Sequence, residues 1–230
     1  MDRSGLPGPR ANLELVAAAA DVIPEDRLRQ WVSLGPSDAP AGTAREYLPV
    51  CGAVGLGRLL AGTGDDWTRR DSILATLRDL ADDPRWRVRE AVAMALQRWG
   101  SVEMGALLPV MRSWATSGDR LAQRAAVAAL CEPPLLHDPA NAGEVVAILD
   151  ALTTTLVAAV DRRTDAYRVL RQALGYGWSV AIVAAPEPGW VAFERWAADR
   201  DPDIGWMVRE NLRKHRLQRL DPARVERLAG

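Results

Sequence analysis

A short pattern, Trp-x-Val-Arg-Glu, occurs twice in this chain of 230 residues, at 86–90 and at 206–210. Each copy follows an Asp-Pro pair and continues with apolar residues at helical spacing, which is typical of an amphipathic helix that begins in an acidic turn. After the first copy, Gly100 is the predicted end of the helix. Repetition of a helix together with its turn predicts an architecture of stacked repeats.

The rest of the chain has the same helical periodicity. Apolar residues recur at spacings of three and four, and no stretch alternates at period two for long enough to predict a strand. The predicted helices begin with 12–22, 24–34, 45–60 and 67–81, and later helices pair across turns near 82–84, 117–119, 161–165 and 199–203. The Pro-Glu-Pro-Gly segment at 186–189 is predicted to break the chain. The fold class predicted is therefore all-α.

A basic residue in the second helix of each pair indicates the register of the repeats. The aligned residues are Arg89, Arg124, Arg171 and Arg209, whose separations of 35, 47 and 38 residues are solenoid periods. An Asp precedes each of them by five or six residues, at Asp83, Asp119, Asp165 and Asp203. The Asp can accept hydrogen bonds from the free N–H groups of the next helix, and the Arg can reach a neighbouring Asp along the stack. The simplest interpretation is an Asp–Arg ladder between repeats; the alternative is a row of guanidinium groups that bind phosphates or an acidic partner.

This Asp-turn-Val-Arg pattern resembles the HEAT-repeat family of armadillo-type α-solenoids over about residues 65–220. The resemblance implies a right-handed α-α superhelix (solenoid) of four to five HEAT-like helix pairs. We expect a disordered leader over residues 1–10 and a single domain over 11–230. Stacked pairs would bury one continuous core, since no pair can bury its apolar faces alone.

Three glycines, Gly52, Gly55 and Gly57, lie on the predicted helix 45–60. Glycine weakens a helix interior unless another chain segment must approach closely. We therefore expect tight helix packing against this segment.

Charge and composition limit the classes of function. The net charge of −1 offers no bulk attraction for nucleic acid or an anionic membrane, although residues 206–230 carry about +4. The basic run at 213–216 fits either a nucleic-acid patch or the solvated face of a terminal helix that caps the solenoid. Cys51 and Cys131, the two cysteines, are far apart in the sequence, which argues against a disulfide framework and fits a reducing compartment. The sequence shows neither a signal segment nor an apolar run of about 18 residues. We therefore expect a cytoplasmic protein without a membrane span. No motif predicts a metal or a cofactor.

The tryptophans fall into two groups. Those at core spacings are predicted packing anchors: Trp99, Trp114, Trp178 and Trp196. Trp86 and Trp206 stand instead at the start of helices, where a ring can lie at the rim of a groove. There it could stack on a base, a sugar or a side chain of a partner.

Trp86, with Glu90 four residues later, resembles the aromatic and carboxylate spacing of bacterial HEAT-like DNA glycosylases that excise cationic alkylated bases. Segments 123–126 and 173–176 look like that family's phosphate-contacting helix and the segment with its second aromatic residue. The resemblance implies that Glu90 stabilises the sugar cation, that Trp86 and Tyr176 hold the base, and that Arg124 binds the DNA backbone.

Two functions therefore stay open from the sequence. The first is a non-catalytic HEAT-repeat scaffold whose concave, Arg- and Trp-lined surface binds a protein partner or else nucleic acid. The residues assigned to that surface are Trp86, Arg89, Arg124, Arg171, Tyr176, Trp206, Arg209 and Arg213. The second is a glycosylase acting on alkylated duplex DNA, with Glu90 as its catalytic carboxylate. Trp206 and Glu210 repeat the same spacing, which favours a repeat signature and the first function.

Overall fold

The computed structural model describes residues 3–8 and 11–230, and all regular structure within these ranges is helical. The helices are α1 (Leu13–Val22), α2 (Glu25–Val32), α3 (Tyr47–Ala61), α4 (Trp67–Leu80), α5 (Trp86–Thr116), α6 (Arg120–Leu130), α7 (Pro139–Val157), α8 (Asp165–Ala184), α9 (Pro186–Ala197), α10 (Pro202–Leu212), α11 (His215–Leu220) and α12 (Pro222–Ala229). Short 3₁₀ turns lie at Ala44–Glu46 and Pro133–Leu135. The all-α prediction is confirmed.

Contacts divide the chain into two compact units, Met1–Glu103 and Met104–Gly230. The boundary falls within α5, where Glu103 has φ −136° and ψ 63° and interrupts the helical backbone. The predicted end at Gly100 is therefore wrong, because the helix continues through this buried glycine. The Glu103 carboxylate instead accepts hydrogen bonds from Arg70 at 3.1 Å and from Trp99 Nε1 at 3.4 Å. The single domain expected over 11–230 stays a prediction.

In unit 1, α3 packs against α1, α2 and α4. Its glycines allow the close approach that we expected. A Cβ atom at Gly57 would lie 2.3 Å from the carbonyl oxygen of Ala95 in α5, and one at Gly52 would lie 3.0 Å from that of Leu28 in α2. Tight packing of this segment is confirmed.

The expected leader lies partly outside the described residues, at 1, 2, 9 and 10. Within 3–8, Ser4 and Leu6 are buried, and the Ser4 carbonyl accepts a hydrogen bond of 2.8 Å from the N–H of Asn12. Asn12 also caps α1, since its side chain accepts from the N–H of Leu15. Disorder of this leader stays a prediction.

In unit 2, α8 packs against α6, α7, α9, α10 and α11. Its fully buried Trp178 lies 5.8 Å from Phe193 between ring centroids and donates from Nε1 to Thr153 Oγ1 at 3.0 Å. The buried indole N–H therefore has an acceptor, as a tryptophan in a core requires. The predicted core positions of Trp99, Trp114 and Trp178 are confirmed, and Trp196 is half-buried.

By length and composition, α7 could cross a membrane, although it contains Glu144 and Asp150, and the expected absence of a membrane span stays a prediction. The helix has 19 residues, and an 18-residue stretch of it has a mean hydropathy of 1.3, with 44% of that stretch buried. The core helix of a soluble protein passes the same test, so this is weak evidence. Val145, Leu149, Leu152 and Leu156 are fully buried, and the helix packs against α8 and α9.

At two of the turns, the residue that caps the following helix is not the predicted one. Asp119 accepts from the N–H groups of Leu121 and Ala122 and caps α6, as predicted. At α8 and α10, however, the capping side chains are Thr164 and Asp201. The break predicted at 186–189 falls one residue earlier, at Ala185, where α8 ends and the backbone is non-helical with φ −135° and ψ 78°. Residues 186–189 themselves form the first turn of α9, where proline fits because no N–H is needed.

Candidate binding site

An open cavity of about 340 Å³ lies in unit 1. Its lining residues are Ala11, Leu13, Val50, Trp86, Arg87, Glu90 and Met94. Trp86, Glu90 and Met94 follow one another at intervals of four residues and therefore share a face of α5. Leu13 and Trp86 are 56% and 51% exposed. A concave and mostly apolar surface with few polar groups is typical of a binding site.

The orientation of Trp86 is supported by a buried ion pair that the sequence did not suggest. Arg87 Nη1 lies 3.1 Å from Oε2 of the fully buried Glu46, and the Arg87 guanidinium lies 4.6 Å from the centroid of the Trp86 ring. Glu46 also accepts from the Gly42 N–H at 2.7 Å, and Arg87 donates to the carbonyl of Gly8 at 3.0 Å. A cation above an indole face is favourable, so one face of Trp86 is already covered.

The turn before α5 is fastened by two arginines. Arg85 is only 2% exposed; it binds the Asp83 carboxylate through Nε at 2.8 Å and Nη2 at 2.6 Å, and it donates to the carbonyl of Ala39 at 2.9 Å. Arg89 Nη1 donates to the carbonyl oxygen of Asp83 at 2.6 Å. This hydrogen bond ties Arg89 to its own turn. No periodicity distinguished Arg85, because its role depends on a loop far upstream.

In unit 2, one of the predicted Asp–Arg pairings is present and links α8 to α10. Arg171 of α8 forms an ion pair with Asp203 at the start of α10. Asp203 also accepts from the Tyr167 hydroxyl at 2.7 Å and lies 3.3 Å from Arg162. Burial would raise the pKa of Asp203, but the hydrogen bonds from Tyr167 and Arg171 hold it below its usual value.

Trp206 is half-buried and does not stand at an open rim. A Cβ atom at Gly175 would lie 2.9 Å from Cζ3 of the Trp206 ring, so the absence of a side chain there admits the indole. The guanidinium of Arg171 lies 4.4 Å from the centroid of the same ring. Trp206 and Arg171 thus pack α8 against α10, which corrects their assignment to a free binding surface.

The other assigned residues are divided between the two units. Trp86, Arg89 and Glu90 belong to unit 1, whereas Arg124, Tyr176, Arg209 and Arg213 belong to unit 2. Arg209 is exposed, and Arg213 pairs with Glu210 at 2.8 Å. Arg124 is half-buried on α6, and the Tyr176 hydroxyl accepts from Arg216 at 2.9 Å. Among the residues assigned from the sequence, Trp86 and Glu90 line the same cavity.

The chemistry available at the unit 1 cavity is limited. Among the described residues that line it, Glu90 is the only acidic one. Cys51 follows the lining residue Val50 but does not itself line the cavity, and burial raises the pKa of its thiol to about 12, so this thiol is protonated at neutral pH. Within residues 3–8 and 11–230, no group of three or more His, Cys, Asp or Glu side chains is arranged to hold a metal ion.

Comparisons with protein-family models, with curated proteins and with solved structures find no match for this chain. Its function must therefore be inferred from its own residues.

Proposed function

We propose that this chain is a non-catalytic HEAT-like α-solenoid that binds a protein partner at the unit 1 cavity. The observation that carries the proposal is the apolar cavity itself, with the half-exposed side chains of Leu13 and Trp86 in its lining. Aromatic and aliphatic anchors that enter such a concave surface supply most of the affinity in protein interfaces.

The packing order in unit 2 supports the repeat architecture. The first helices of successive pairs, α7 and α9, contact each other, and the second helices α6, α8 and α10 contact in chain order. Contacts between equivalent helices of neighbouring pairs are the defining arrangement of a solenoid, in which each repeat touches only its neighbours. The ion pair between Arg171 and Asp203 adds the repeat-to-repeat link that the HEAT-like pattern implies.

A protein partner is favoured over nucleic acid because several predicted phosphate-binding arginines already have acceptors. Arg171 pairs with Asp203, Arg213 pairs with Glu210, and Arg89 donates to a backbone carbonyl. The net charge of −1 also gives no general attraction for a polyanion.

Selection from a phage-displayed library of random peptides tests this proposal. We expect enriched peptides with large apolar residues that bind the purified chain. Leu13→Asp should weaken that binding at least about tenfold, because it places a charge in the apolar lining. Since Leu13 is 56% exposed, the folded structure should tolerate the change.

Val22→Asp is the matched control. Val22 also lies on α1, is 75% exposed and does not line the cavity, so peptide binding should be unchanged. Failure to enrich any peptide, or equal loss of binding in both variants, would contradict binding at this cavity.

One observation favours a second candidate, a DNA glycosylase acting on alkylated bases: Trp86 and Glu90 line the same cavity. In that enzyme the Glu90 carboxylate would stabilise the cation that forms on the sugar as the glycosidic bond breaks. It predicts release of methylated purine from alkylated duplex DNA, reduced at least about a hundredfold by Glu90→Gln. Glu14→Gln, at an exposed position of α1, is the control and should not change the rate. Absence of release at high protein concentration excludes this candidate.

A further inference from the structure

A second cavity, of about 320 Å³, lies in unit 2 beside α8 and α11. Its apolar lining includes Leu136, Val180, Val183 and Ala184, and its basic lining residues are His137 and Arg216. Val180, Val183 and Ala184 follow Tyr176 at intervals of four, seven and eight residues, so these four side chains share one face of α8. The cavity therefore combines an apolar stripe with a cationic group.

The Arg216 side chain is held in place by Tyr176. Arg216 Nη2 donates to the Tyr176 hydroxyl at 2.9 Å, and its guanidinium lies 4.6 Å from the centroid of the same ring. The next residue, Leu217, is fully buried and fastens α11, which packs against α8. Two contacts to one side chain and a buried neighbour fix the direction of the guanidinium.

Arg216 has no carboxylate partner among the described residues, whereas two other arginines of the C-terminal segment are paired with carboxylates. Arg213 pairs with Glu210, and Arg224 pairs with Glu194 and Asp221. The hydrogen bond to Tyr176 uses one of the five N–H donors of a guanidinium. The remaining donors can bind a planar anion in two parallel hydrogen bonds.

We propose that this cavity binds an aliphatic carboxylate, with the carboxylate on Arg216 and the chain along the apolar face of α8. A carboxylate carries one negative charge and matches the single guanidinium. A phosphate monoester approaches two charges near neutral pH and would call for a second strong cation. The cavity is at the lower end of the size range of small-molecule sites, which suits a short chain. This site shares no residue with the unit 1 cavity, so either proposal can fail alone.

Calorimetric titration of the whole chain with octanoate, and with octanol as the uncharged analogue, tests the assignment. We expect octanoate to bind about tenfold or more tightly than octanol, because only the acid forms a charge-assisted hydrogen bond. Arg216→Gln should remove that preference and leave the octanol affinity unchanged. Tyr176→Phe keeps the ring and removes the hydroxyl that positions Arg216, so the preference should fall by a smaller factor.

Arg219→Gln is the matched control, because Arg219 is exposed on the same short helix and does not line the cavity. Its octanoate affinity should equal that of the wild type. Val183→Asp should abolish binding of both compounds, with circular dichroism showing that the helices are retained. The proposal is overturned by equal affinities for octanoate and octanol, by tighter binding of octyl phosphate, by an equal loss in Arg219→Gln, or by no octanoate binding at about 1 mM.

Discussion

Gly57→Ala is expected to destabilise unit 1 by about 3 kcal/mol, although the same exchange in an exposed helix is stabilising by up to about 1 kcal/mol. The added Cβ would lie 2.3 Å from the carbonyl oxygen of Ala95 and 2.7 Å from its Cα. Both atoms belong to the backbone of α5, so no rotamer change can relieve the overlap. The two helices would have to move apart and lose the packing around them.

The measurement is urea unfolding followed by circular dichroism, together with hydrogen exchange of the α3 amides, which reports on unit 1 alone. Gly105→Ala provides the comparison, because Gly105 is an exposed helical glycine on α5 with no atom within 4 Å of the added Cβ. This control should be as stable as the wild type or slightly more stable. If Gly57→Ala were also neutral, the close approach of α3 and α5 would be wrong.

The glycine segment shows what local sequence can predict. Three glycines in a helical run indicate that another chain segment lies close, and Gly52 and Gly57 both lie against backbone atoms of other helices. The pattern does not say which helices approach. The partners Leu28 and Ala95 lie upstream and downstream of the segment, and nothing in the spacing of the glycines identifies them.

The two copies of Trp-x-Val-Arg-Glu show the limit of the same reasoning. Trp206 packs into space left by Gly175, whereas Trp86 is half-exposed and lines a cavity. The copies share Trp, Val, Arg and Glu but differ at the second position, where Arg87 covers one face of Trp86 and Met207 is fully buried. The other differences come from residues far away in the chain. Glu46, which pairs with Arg87 beside Trp86, stands 41 residues earlier. A repeat signature therefore predicts the helix and its turn, and it leaves the environment of each ring undetermined.

The arginines show the same contrast between what residue spacing predicts and what it leaves undetermined. Their periodic positions predicted a ladder, and one of its pairings, Arg171 with Asp203, is present. Arg89, however, donates to the Asp83 carbonyl in its own turn, where Arg85 binds the Asp83 carboxylate through two nitrogen atoms. Competition between neighbouring donors for one carboxylate depends on side-chain geometry, which residue spacing does not contain.

The residue that follows the motif also differs between the two copies: Ala91 follows the first copy and Asn211 follows the second. The fully buried Asn211 side chain accepts from the Ser179 N–H at 2.8 Å and donates to the carbonyls of Leu174 and Met207 at 2.9 and 2.8 Å. We expect Asn211→Leu to destabilise unit 2 by about 3 kcal/mol, as three buried hydrogen bonds of about 1 kcal/mol each are lost.

Leucine is chosen for Asn211 because it has a similar size and leaves little empty volume, so the loss can be assigned to hydrogen bonding and not to a cavity. Hydrogen exchange of the α8 amides in mild denaturant should show the change, with the Ser179 amide among those that lose protection. Asn141→Leu is the matched control: Asn141 is half-buried on α7 and makes no side-chain hydrogen bond to another described residue, so stability should change by less than about 0.5 kcal/mol. Equal stability of the two variants would mean that the amide of Asn211 does not hold α10 to α8.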